Sequence, residues 1–86
     1  MSKFFNMKNK VSNQELIDSL KKSIRANYDA LDYILEKKRI VSDTYKYTEA
    51  EVDKQELDTL KYLEITLRFV GEQYQTNLKN LGVHSW

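Results

Sequence analysis

Apolar residues recur every three or four positions along two separate stretches of this chain. In the first stretch, Ile17, Leu20, Ile24, Leu31, Ile34 and Val41 fall on one line, with Asn27 and Lys38 as its polar members. Alternating steps of three and four are the a/d pattern of a heptad, which lays one stripe of a helix against a neighbouring helix. Leu16, Tyr28 and Leu35 flank that stripe. In the second stretch, Leu60, Leu63, Leu67, Val70, Tyr74, Asn77 and Leu81 keep the same alternation without a break. Two helices are therefore predicted, each with a coiled-coil-like seam.

The residues around each stretch mark its ends. Ser12 and Glu15 have the spacing of a capping box, and Val11 with Leu16 forms the matching hydrophobic staple. Thr48 and Glu51 repeat that spacing ahead of the second stretch, with Tyr47 and Val52 as the staple pair. Lys37, Lys38 and Arg39 suit the negative end of the first helix dipole, and Glu49, Glu51 and Asp53 suit the positive end of the second. Gly82 follows the last seam residue as a left-handed cap, with Val83 placed to touch Leu78.

These signals divide a single helical domain, 1–86, into an N-terminal arm at 1–11, a helix at 12–41, a linker at 42–47, a second helix at 48–81 and a tail at 82–86. A linker that short joins antiparallel neighbours, although without Gly or Pro it also allows one continuous bent helix. The predicted fold class is all-α, an antiparallel two-helix hairpin. Charge agrees with it: residues 1–41 carry nine positive and five negative side chains, and residues 42–86 carry five and eight. Folding back at the linker sets Lys37, Lys38 and Arg39 beside Glu49, Glu51, Asp53 and Glu56. It also places Ile34 near Leu57, Leu31 near Leu60, Ile24 near Leu67 and Ile17 near Tyr74. Asn27 and Asn77 are then the polar seam positions that fix register.

One line of contacts leaves apolar surface over. Tyr62, Ile65 and Phe69 form a second row on another face of the second helix, and a helix apolar on two faces expects neighbours on both. Chains this small gain only a few kcal/mol from one core, roughly 3–5. The hairpin is accordingly expected to be completed into a bundle by a second copy or a protein partner. Tyr62, Ile65 and Phe69 are the candidate interface, with Phe4, Phe5 and Trp86 from the two ends, which a hairpin brings to one pole. Tyr28, Tyr33, Tyr45, Tyr47, Tyr62 and Tyr74 are read as seam edges and linker, with any exposed ones as interface anchors.

Composition narrows function mainly by exclusion. The 86 residues carry a net charge of +1, so the total implies no strongly charged partner. Zero Cys removes disulfides, thiolate metal sites and cysteine nucleophiles. Zero Pro and two Gly argue against a turn-rich β-fold. No apolar run reaches signal-peptide or membrane-span length, which sets a cytoplasmic expectation. Eleven Lys against three Arg, with six Asn and six Tyr, fits an AT-rich genome, which suits many phages and low-GC bacteria, and a phage or mobile element is one expected source.

Chemistry finds little to build on. His84 is the only histidine and lacks converging partners. The acids Glu49, Glu51, Asp53, Glu56 and Asp58 lack the loop of a calcium site and the Glu-x-x-His pairs of a di-iron bundle. No phosphate loop, nucleophile elbow or zinc motif is present. No cofactor, metal or catalytic residue is assigned, and a non-enzymatic protein is expected. The favoured function is a protein–protein interaction module: a small adaptor, assembly factor or inhibitor. The alternative is a nucleic-acid-associated regulator using the basic side of the first helix, where Lys21, Lys22 and Arg25 could meet phosphates. Asp18, Asp29 and Asp32 interrupt that strip and count against it.

Overall fold

The computed structural model describes residues 12–83, and within them the chain is two long helices packed against each other. Helix α1 spans Asn13–Thr48 and α2 spans Glu51–Asn80. At about 1.5 Å per residue these are rods of roughly 54 and 45 Å. The Ser12–Glu15 capping box forms as the spacing predicts: Glu15 N donates to Ser12 Oγ at 3.1 Å, and Ser12 N donates to Glu15 Oε1 at 3.1 Å. At the other end Gly82 adopts φ +87°, Val83 N donates to Leu78 O, and Gly82 N donates to Lys79 O. That is a Schellman cap, and only a residue without Cβ takes this φ freely.

The predicted linker is not a linker. Residues 42–47 continue α1, which ends only where Glu49 turns to the left-handed region at φ 55°. Nothing in 42–47 stops a helix, because the segment lacks Gly and Pro. Val41 is buried and Tyr45 half-buried, so the seam of α1 runs one step further than expected. The second capping box consequently does not form. Thr48 is the last residue of α1, and its hydroxyl donates back to Thr44 O at 2.9 Å. Ala50 occupies the N-cap of α2 with no side-chain cap, and Tyr47 and Val52 stand in solvent instead of stapling.

Moving the turn to Glu49–Ala50 resets every cross-helix pairing. In an antiparallel hairpin a turn shifted by one residue changes each partner by two, so a turn moved by about five residues shifts the register by about ten along α2. Lys38 therefore meets Glu64, not Asp53 or Glu56. The expected cluster of Lys37, Lys38 and Arg39 against the acidic start of α2 is absent. Arg39 pairs within α1, with Glu36 at 2.7 Å and Asp43 at 3.3 Å, while the Lys37 ammonium sits 5.7 Å from the Tyr33 ring centroid.

The seam of α1 is as predicted: Ile17, Leu20, Ile24, Asn27, Leu31, Ile34, Lys38 and Val41 are all buried or half-buried. The seam of α2 is rotated. It keeps Leu60, Leu67, Tyr74 and Leu81, but Glu64, Gly71 and Leu78 join the contact line while Leu63 and Asn77 are exposed and Val70 is half-buried at its edge, with Leu57 ahead of them. The polar members of α1 explain the rotation. Glu64 gives the Lys38 ammonium a carboxylate. Gly71 lets Asn27 Nδ2 reach past it and donate to Leu67 O; a Cβ on Gly71 would lie 3.1 Å from that nitrogen. Had Leu63 and Val70 faced α1 instead, both polar groups would have lost their partners, at about 1–3 kcal/mol each. Asn77, the expected counterpart of Asn27, is exposed.

Candidate functional site

The seam defines the site by what it leaves outside. With Leu60, Glu64, Leu67 and Gly71 turned toward α1, the 3.6-residue period carries Tyr62, Ile65 and Phe69 to the opposite side of α2. They are 69, 68 and 60% exposed. Along the edge of this row, the hydroxyls of Thr59 and Thr66 donate to Gln55 O and Tyr62 O, both at 3.1 Å. Each hydroxyl is thus satisfied on its own helix.

The heptad pattern alone does not expose a second row, which the structure places on α1. Tyr33, Ile40 and Tyr47 are exposed and stand seven residues apart on its outer side. Their spacing is a readable signal, but the sequence pattern assigns Tyr33 to a seam edge and Tyr47 to a linker that does not exist. Leu16 apart, every exposed large apolar side chain among the described residues falls between Tyr33 and Phe69. The apolar surface thus belongs to the turn and middle of the hairpin rather than to its open end. Phe4, Phe5, Trp86 and His84 lie outside the described residues.

The basic candidates sit elsewhere. Lys21 is half-buried, Lys22 and Arg25 are exposed, and none makes an ion pair among the described residues. Beside them a shallow depression is lined by Glu15, Asp18, Ser19 and Lys22. Its acids are already engaged, Glu15 in the cap and Asp18 by Gln14 Nε2 at 3.0 Å. Among the described residues no group of three His, Cys, Asp or Glu could hold a metal ion, and no helix is long and apolar enough to cross a membrane.

Besides the Asn27–Leu67 hydrogen bond, two polar side-chain contacts brace the two helices. Gln75 Nε2 donates to Tyr28 Oη across the seam. Glu64 accepts from Lys38 of α1 and, at 2.9–3.0 Å, from Arg68 one turn along its own helix. The Lys38 hydrogen bond first, then that of Arg68, hold the Glu64 carboxyl below its ordinary value of 4.5, against an opposing effect of burial. Both folded and unfolded chains are ionised at neutral pH, so the stabilisation is complete there. It is lost as pH falls below about 4.5, where the unfolded chain takes up its proton first. Urea midpoints measured from pH 7 down to about 3 should fall further for the wild type than for Glu64→Gln; parallel curves would show that this carboxylate does not link stability to pH.

No protein-family model, curated protein or solved structure matches this chain.

Proposed function

We propose that this chain is a non-catalytic protein–protein interaction module, a small adaptor, assembly factor or inhibitor that docks through the outer side of α2. The observation that carries this reading is the row Tyr62, Ile65 and Phe69, left largely in water on the side away from the seam. Burying each such side chain is worth roughly 1.5–3 kcal/mol. Aromatic residues are also the commonest anchors of binding surfaces. The hairpin's own core supports the same view. Only Ile24, Leu31, Val41, Leu60 and Leu78 are buried apolar residues among those described, a small core for a helical protein. A third and fourth helix against α2 would turn the hairpin into a bundle with apolar contacts on both sides of that helix.

Ile65→Lys combined with Phe69→Glu should abolish complex formation while leaving the chain helical. Sedimentation reads the first and far-ultraviolet circular dichroism the second. Association that survives both charges would refute the reading. Loss of helix in the double variant would do so as well, by placing the row in the chain's own core.

A further inference from the structure

We infer that the occupant of the α2 row is the same row of a second copy, packed antiparallel about a twofold axis beside Ile65. This deepens the docking role proposed above and rests on it. The row is nearly palindromic: an aromatic residue at each end, Tyr62 and Phe69, with Ile65 between them. An antiparallel copy therefore sets Tyr62 against the partner's Phe69, Phe69 against the partner's Tyr62, and the two Ile65 side chains next to each other. A twofold contact of this kind uses the same patch on both chains and closes on itself.

Charge makes the pairing self-complementary. Lys61 and Glu72 lie on the same flank of the row, one near each end, and both are exposed without an ion pair among the described residues. The antiparallel arrangement keeps that flank on one side of the contact and brings Lys61 of each chain within a turn of Glu72 of the other, twice by symmetry, where Lys61 also offsets its own Asp58, which this register sets level with that Glu72. Arg68, which lies between them on that side, is held back toward the seam by Glu64. A parallel pair would instead set like charges at the same level on opposite flanks, and neither Lys61 nor Glu72 would gain a partner.

The area is sufficient for a modest dimer. Side chains of this size bury about 150–250 Å² each, so three of them at these exposures bring roughly 400 Å² per chain. With the flanking Gln55, Asp58, Gln73 and Thr76 the contact reaches the ~1,200 Å² at the lower end of specific interfaces. A second copy is also the one partner present wherever the chain is made, which suits a hairpin with so small a core of its own.

Sedimentation equilibrium of the full chain should show a dimer. Lys61→Glu should weaken it roughly threefold to tenfold, because Asp58, the new glutamate and the partner's Glu72 then meet as like charges, and adding Glu72→Lys should restore it to within about twofold. Because the chain has no cysteine, introduced thiols report geometry directly. Ile65→Cys should form a disulfide-linked dimer on mild oxidation. Gln55→Cys and Thr76→Cys should cross-link when mixed, and neither with itself. A wild-type monomer at about 1 mM, a Gln55→Cys chain that links to itself, or a charge swap that fails to restore the dimer would each overturn the inference. A monomer whose complex with a different protein is lost in the Ile65→Lys, Phe69→Glu variant would overturn the second copy alone and leave the docking role standing. A dimer untouched by that variant would overturn both.

Discussion

Replacing Ile24 with alanine is expected to destabilise the hairpin by about 2–5 kcal/mol. Ile24 is fully enclosed, at 0% exposure, and lies on the α1 seam one heptad before Leu31. Truncation removes its transfer free energy and leaves a hole between two stiff helices, which close it poorly because polar contacts hold them together further along. Asn27 to Leu67 lies toward the middle of the hairpin, and Lys38 to Glu64 lies nearer the turn. A domain of this size has only a few kcal/mol in reserve, so the variant should be largely unfolded by modest urea. The same experiment separates the observed seam of α2 from the one its sequence suggests. Leu60 is buried and Leu63 is 38% exposed, so Leu60→Ala should cost about 2–5 kcal/mol and Leu63→Ala less than about 1. Equal costs would place both residues on the contact line and contradict the rotation.

Gly71→Leu should destabilise by a comparable amount, about 1–3 kcal/mol or more. Even a Cβ at this position would sit 3.1 Å from Asn27 Nδ2 and 3.6 Å from Tyr28 Cε1. A leucine would push both away, break the hydrogen bond to Leu67 O and separate the helices where they approach closely. Gly71→Ala behaves differently. Alanine gains about 1 kcal/mol of helix propensity over glycine, and Asn27 need shift by only a few tenths of an ångström, so its net effect should be small. Paired urea melts of the two variants test the size dependence. A leucine variant as stable as the wild type would show that the close approach at Gly71 is not needed.

How much of this was legible in the sequence differs between the two helices. The α1 seam could be read directly, because Ile17, Leu20, Ile24, Leu31, Ile34 and Val41 outnumber Asn27 and Lys38 and fix the face despite them. Both ends of the hairpin could be read as well. The Ser12–Glu15 box and the Gly82 cap involve only residues within a few positions of each other, and local chemistry suffices to form them. The unburied row of α2 was also visible, since Tyr62, Ile65 and Phe69 cannot share a face with Leu60 and Leu67 at a helical period.

What the sequence left open were the turn, the register and the rotation of α2. Thr48 and Glu51 carry a capping signal as good as that of Ser12 and Glu15, but Thr48 ends one helix instead of starting the next. The chain turns at Glu49 and Ala50, neither of which announces a turn, and Glu49 adopts a positive φ that glycine or asparagine would take more readily. Only the pairing of the two helices selects that site. On α2, Leu63 and Val70 are more apolar than Glu64 and Gly71, and a hydrophobic pattern taken alone prefers them for the seam. The folded hairpin chooses otherwise because Lys38 and Asn27 arrive from the other helix needing a carboxylate and an open backbone carbonyl. A polar group inside a contact costs more when unpaired than a leucine gains when buried slightly deeper. The sequence of α2 by itself determined which residues are helical; what crosses from α1 decided which of them face inward.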